Sequence, residues 1–193
     1  MSTTNLDVIS RAFVLIGGSA VQDLSEQSRE AEIAAVTYDS IKESELGSYF
    51  WNFALSYFEL NKSATPPLDT NFTAAYLIPI TVLRIKNVVD ETGNNVKYQI
   101  RDDKVLTTSN RAFVLGIVDT PESKWRGYFI KSVMSRCAME WSIPLREKGT
   151  LHDRMLQQYG LDLAQAKIAD AQEQPPLFII SEINSPLEKA RVN

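Results

Sequence analysis

The sequence predicts an α+β protein: a four-helix bundle with an antiparallel β-sheet domain inserted between the second and third helices, and an extended C-terminal tail. Three observations lead there. Apolar residues recur at steps of three and four up to Phe50. From Leu55 to Asp119 the period falls to two, with turn residues between short runs. After Thr120 the helical period returns, until Pro175-Pro176 stops it. The implied division gives residues 1–54 and 120–174 to the bundle, 55–119 to the inserted β domain and 175–193 to a C-terminal arm.

In the first helix Leu6, Ile9, Phe13 and Ile16 form one face, with Thr4 as the cap and Asp7 three positions on. Gly17-Gly18 ends it, because glycine accepts the left-handed conformation that a helix C-terminus needs. Ser25 is expected to cap the second helix, with Glu26 favourable in its first turn. Ile33, Val36 or Thr37, Ile41, Leu46 and Phe50 then carry the period, and the short loop predicts an antiparallel helical hairpin.

Segments Leu55–Leu60, Val82–Asp90, Val96–Arg101, Lys104–Thr108 and Phe113–Asp119 are rich in Val, Ile, Tyr and Phe. Thr92-Gly93-Asn94-Asn95, Asp102-Asp103 and Ser109-Asn110-Arg111 separate them as turns, which predicts an antiparallel meander with one buried face. Lys62-Ser63-Ala64-Thr65-Pro66-Pro67 reads as loop. Thr120-Pro121-Glu122 restarts a helix by threonine capping with proline at the first helical position. Trp125, Phe129 or Tyr128, Val133, Cys137 and Trp141 mark its apolar face, and Pro144 is expected to end it. The last helix runs from Thr150 to Gln174, with Leu151, Met155, Tyr159, Leu163 and Ala166 on one stripe.

Between the second helix and the first strand stands Gly47-Ser48-Tyr49-Phe50-Trp51-Asn52-Phe53-Ala54-Leu55. Tyr49, Phe50, Trp51 and Phe53 are expected to pack the β domain against the helices, with Trp51 as the pin; each ring buried there contributes about 1.5–3 kcal/mol. A ligand-stacking site is the alternative reading.

The 193-residue chain is 44% hydrophobic and carries a formal net charge of −4. It has no basic run with which to wrap nucleic acid through its phosphates, although an acidic wall past which DNA slides is compatible with this balance. No apolar run approaches the length of a membrane span. The start, MSTTNLDVISR, lacks a basic region followed by an apolar one, so no secretory signal is expected. A single cysteine, Cys137, precludes an intrachain disulfide and points to synthesis in a reducing compartment. With a single histidine, His152, it also precludes a Cys/His zinc cluster.

Neither a phosphate loop, a dinucleotide fingerprint nor a nucleophile elbow is present. Gly17-Gly18-Ser19 reads as a helix end, His152 as a surface histidine in the first turn of its helix, and Asp102-Asp103 as a turn. Cys137 reads as a small buried apolar residue. No enzyme, cofactor or metal is expected, with a glycoside hydrolase built on two of the 24 acidic residues as the open alternative.

Trp51-Asn52-Phe53-Ala54, followed by Tyr76-Leu77-Ile78-Pro79-Ile80-Thr81-Val82-Leu83-Arg84-Ile85, resembles the "WNFA" and "Y-x-LP-x-D-x-LR-V" signatures of bacteriophage tail adaptors, the tail tubular protein A family of short-tailed phages. Thr81 stands where the family often has Asp, and Ile78-Pro79 where Leu-Pro is usual. Asp7-Val8-Ile9 to Ile16-Gly17, the helix around Glu30 to Lys42, the helix of Trp125 and the Ala-rich stretch after Tyr159 are similar to the same family, so that the resemblance covers residues 5–173. It implies a structural virion protein of the phage neck, made in the bacterial host cytoplasm. Such a protein would form a ring of about twelve subunits between portal protein and tail nozzle protein, with DNA passing through unbound and no membrane involved. It also implies a helical bundle with an inserted β domain. A tail-borne glycan hydrolase and a monomeric assembly factor are the alternatives.

Beyond Pro175-Pro176, Leu177-Phe178-Ile179-Ile180 is an apolar, β-prone run. These four residues are expected to contact a neighbouring subunit or the portal as an added strand or extended arm; folding back on their own chain is the other possibility.

Overall fold

The computed structural model describes residues 3–146 and 149–173. Helices α1 (Asn5–Leu15) and α2 (Arg29–Ser48) precede seven strands, and α3 (Gly127–Arg146) and α4 (Gly149–Glu173) follow them. The strands are β1 (Leu55–Glu59), β2 (Asn61–Lys62), β3 (Ala74–Leu77), β4 (Val82–Val89), β5 (Tyr98–Arg101), β6 (Lys104–Thr107) and β7 (Phe113–Val118).

The expected four-helix bundle with an inserted sheet is not what forms. Helices α3 and α4 follow one another at the C-terminal end as a hairpin, and α3 is the element against which α1, α2 and α4 all pack. Helix α1 has 11 residues and is about 16 Å long, too short to match its 20- and 25-residue neighbours. It leans on α3, with Phe13 stacked on Trp141 at 4.4 Å, and scarcely meets α2, so the expected α1–α2 hairpin is absent. Helix α2 in turn divides its contacts between α3 and the strands.

Nor do the strands form one meander. They make two antiparallel sheets, a three-stranded one ordered β1-β7-β4 and a four-stranded one ordered β2-β3-β6-β5. Leu55 lies opposite Ile117 and Glu59 opposite Phe113, while Tyr98 lies opposite Thr107 across the β5–β6 hairpin. Strand β3 pairs with β6, and β2, placed by sequence in a loop, pairs with β3. The sheets enclose their own core of Leu60, Tyr76, Val88, Val105 and Val114. Ala54 and Ile117 belong instead to the helical core, with Leu55 and Leu83 packed on it, so that the three-stranded sheet abuts the helices.

Local chemistry accounts for the helix ends. Thr4 and Asp7 form a capping box, and Gly17 takes φ +72°, the left-handed region that glycine tolerates. The cap of α2 is Ser28, not Ser25: its hydroxyl accepts from the Ala31 N–H at 3.2 Å, while the Ser25 N–H turns to the Asp23 carboxylate. Thr120 does not cap α3, because its hydroxyl donates to the Val118 carbonyl; a 3-10 turn at Glu122–Lys124 intervenes. Pro144 sits within α3, which continues to Arg146. No helix among the described residues is long and apolar enough to cross a membrane.

Candidate functional site

The segment between α2 and β1 is a densely bonded joint. The backbone turns extended at Tyr49, makes a 3-10 turn at Asn52–Ala54 and enters β1 at Leu55. Trp51 is fully buried, and its indole N–H donates to the Glu45 carbonyl at 3.1 Å. Its ring meets Phe129 and Tyr49 edge-on, each at 4.9 Å, and lies tilted against Phe53 at 6.3 Å. Phe129 is the hub: Phe53 and Trp125 also approach it at 4.9 Å.

Tyr49 and Phe50 occupy the outer side, half-buried, and face cations. The Arg84 guanidinium stands 4.3 Å and the Lys86 ammonium 5.7 Å from the Phe50 ring centre, and Lys167 lies 5.6 Å from that of Tyr49. Arg84 also donates to the Gly47 and Ser48 carbonyls at 3.1 and 3.2 Å. Those carbonyls end α2, where acceptors lack helical donors and the dipole is negative, so an arginine is suited to the place. Register shifts in β4 on either side of Arg84 and Ile85 re-aim the side chains there. Gly116 opposite makes this possible: a Cβ at 116 would lie 2.7 Å from the Arg84 carbonyl oxygen.

Polar bonds fasten the joint to α4. The Asn52 amide N–H donates to the Asp170 carboxylate at 2.9 Å and its side-chain amide to the Asp170 carbonyl at 2.6 Å. The Tyr128 hydroxyl donates to the same carboxylate at 2.9 Å. Burial holds the Asp170 carboxyl above its usual range, opposed by the bonds from Asn52 and Tyr128.

Glu45, also buried, accepts from the Ser132 hydroxyl at 3.1 Å and the Tyr159 hydroxyl at 2.8 Å. Desolvation raises its pKa against those bonds and the charges of Arg136 and Lys167. Burial, with Glu45 beside it, pushes Tyr159 up to about 12. A third buried carboxylate, Asp162, receives Ser135 at 2.5 Å, Gln158 at 2.9 Å and Lys131 at 2.9 Å. These buried acids are the residues that sequence reasoning missed. The signal was present: Asp162 and Asp170 continue the α4 stripe from Met155, Leu163 and Ala166, and Glu45 lies four residues after Ile41.

The remaining candidates are scattered. His152 is half-exposed, 3.5 Å from its neighbour Asp153. Cys137 is buried in the helical core, and its thiol is pushed well up by desolvation. Asp102 adopts φ 53° in the β5–β6 turn. Among the described residues no group of three or more His, Cys, Asp or Glu could hold a metal ion. Leu177, Phe178, Ile179 and Ile180 lie outside the described residues. Neither a protein-family model nor a curated protein matches the chain.

Proposed function

We propose that this chain is a structural subunit of a phage neck: a ring-forming head-to-tail adaptor that joins portal to tail nozzle and surrounds the DNA exit channel. One observation carries the reading. The two stretches that resemble the tail tubular protein A family, Trp51–Ala54 and Tyr76–Ile85, serve a single joint: Trp51 and Ala54 belong to the helical core on which Leu83 packs, while Arg84 covers Phe50 and caps α2 at Gly47 and Ser48, just before Trp51. Motifs some thirty residues apart in sequence thus serve one mechanical purpose, fixing the three-stranded sheet on the helices. The reading does not rest on the bundle-with-insert architecture, which this chain lacks.

A subunit of this kind works by rigidity, and the joint supplies it. A helix cap at Gly47 and Ser48, aromatic packing at Tyr49, Trp51 and Phe53 and a buried carboxylate at Asn52 all act within residues 47–53. The acidic balance of the chain fits a channel wall that DNA must pass without sticking. Negative-stain electron microscopy of the purified protein, alone and mixed with the portal ring of its particle, tests the proposal. A closed ring of about twelve subunits on the portal is expected; a protein that remains monomeric and leaves the portal bare overturns it.

A further inference from the structure

We propose that the free edge of β5 is a binding site for an extended segment of another protein, one whose side chains alternate apolar and acidic, added there as a strand. Strands β4 and β5 are each the last strand of a sheet. They are joined only where their connecting turn begins, by the Val96 N–H to the Val88 carbonyl at 3.2 Å and by the Val89–Asn95 bridge. Beyond that point the register shifts of β4 bend it away. A pocket of about 320 Å³ opens between the strands, lined by Ile78, Val82, Leu83, Arg84, Ile85 and Ile100.

Strand β5 has unused backbone groups on that side. Arg101 lies opposite Lys104 across the turn Asp102-Asp103, and the pairing with β6 is unbroken back to Tyr98. In an antiparallel pair only every second residue bonds to its partner strand. The Thr107 hydroxyl donates to the Lys97 carbonyl on the β6 side, while the Val96 N–H donates towards β4. Tyr98 and Ile100 share the phase of Val96, so their N–H and carbonyl groups face the opening. Among the described residues no backbone bond from β4 reaches them. Their side chains turn inward, Ile100 to the pocket and Tyr98 to the core between the sheets. Open backbone groups beside an apolar slot are a template for another strand.

Charge selects the occupant. Neither β4 nor β5 contains an Asp or Glu, whereas Arg84, Lys86, Lys97 and Arg101 lie on or beside them. Asp90, Glu91, Asp102 and Asp103 stand in the turns at either end. Arg84 and Arg101 are engaged, the first with the end of α2 and the second with Asp69 at 3.0 Å. Lys86 and Lys97 are exposed and enter none of the ion pairs of the described residues. On an added strand, alternate side chains would enter the pocket beside Ile100, and those between them would lie next to Lys97, Gln99 and Arg101. Apolar residues suit the first set and carboxylates the second. A second copy of β5 is a poor guest: two-fold antiparallel pairing centred on Gln99 would set Lys97 opposite Arg101, like charge on like. The site does not depend on ring formation.

Fluorescence anisotropy on the full chain, with a short labelled peptide that alternates glutamate and valine, tests it. A Kd below roughly 1 mM is expected, and the same peptide with lysine for glutamate should bind at least about tenfold more weakly. Ile100 is 48% exposed. Ile100→Asp should abolish binding while hydrogen exchange in α3 and β7 is unchanged, and Ile100→Leu should keep it. Lys97→Glu, a change on the exposed side, should weaken the glutamate peptide and strengthen the lysine one. In the unaltered chain the glutamate peptide should slow exchange of the Tyr98 and Ile100 amides. No binding at ~1 mM, equal binding of the two peptides, or binding indifferent to Ile100→Asp or to Lys97→Glu overturns the proposal. So does slow exchange of those amides without peptide that is lost on dilution, which would assign the edge to a second copy.

Discussion

Replacing Trp51 with alanine removes the largest side chain of the joint and opens a cavity against Phe129, Tyr49 and Phe53. The indole is fully buried and contacts Phe129, Tyr49 and Phe53. Truncating a buried aromatic of this size costs about 3–5 kcal/mol, because the cavity closes only in part. The lost indole bond adds little, since the Glu45 carbonyl it served also accepts from the Ser48 hydroxyl at 2.8 Å. For a domain of this length each kcal/mol moves the midpoint by roughly 2–4 °C. The expected fall in Tm is therefore about 6–20 °C by scanning calorimetry at neutral pH. Trp51→Phe, which keeps most of the packing and loses the donor, should recover more than half of it. A fall of less than about 2 °C for the alanine variant would refute the reasoning, because it would mean that the ring is not load-carrying and would revive the ligand-stacking reading of these aromatics.

Two further outcomes follow from the charges. A carboxyl whose pKa is raised by the fold binds its proton more tightly there than in the unfolded chain, so its effect is to lose stability as pH rises from the ordinary carboxylate range through the raised value. Glu45 and Asp170 are both of this kind. Glu45→Gln should accordingly flatten the decline of Tm with pH above about 4.5, and a curve parallel to that of the unaltered chain would count against burial as the cause. Fluorescence anisotropy with labelled duplex DNA should show no binding at physiological salt; micromolar affinity that weakens steeply with added salt would contradict an inert channel wall.

The parts of the fold legible in sequence were those governed by neighbours along the chain. The Thr4–Asp7 capping box, the Gly17 helix end and the β5–β6 hairpin at Asp102-Asp103 each depend on residues a few positions apart. The apolar face of α3 was legible too, since Phe129, Val133, Cys137 and Trp141 are all buried. What misled was the choice between equivalent local signals. Ser25 and Ser28 are both competent caps; the Ser25 N–H is held by the Asp23 carboxylate, while the Ser28 hydroxyl takes the Ala31 N–H. Val36 and Thr37 both fit the α2 period, yet Val36 is 84% exposed while Thr37 accepts the Trp141 indole N–H. Strand β3 was missed because Ala74-Ala75 is a weak strand former; its burial between β2 and β6 overrides propensity. The bundle was wrong for a related reason: a repeat of apolar residues says that a helix has a partner, not which one.

The joint was legible as composition but not as mechanism. Four aromatics in five positions announce packing, and their position between helical and strand-like segments places them at the seam. Nothing in that stretch points to Asp170, 118 positions away, as the acceptor of the Asn52 N–H. The same holds for each buried acid, and here the physical reason is informative. An apolar stripe lets α4 slide or rotate on α3 at small cost, because one methyl-lined contact resembles the next. A buried carboxylate does not permit this, since leaving its donors by even one turn strands a charge in the core. Asp162 binds Ser135 and Lys131 of α3; eight residues on, Asp170 binds Tyr128 of α3 and the backbone of Asn52. Glu45 adds a third fixed point by joining α2 to Ser132 of α3 and Tyr159 of α4. Three polar contacts on three levels set one register among the helices, and Asp170 carries that register into the entrance of β1. The acids that look out of place on apolar stripes are therefore what sets a single arrangement of the joint, which a leucine at the same positions would not do.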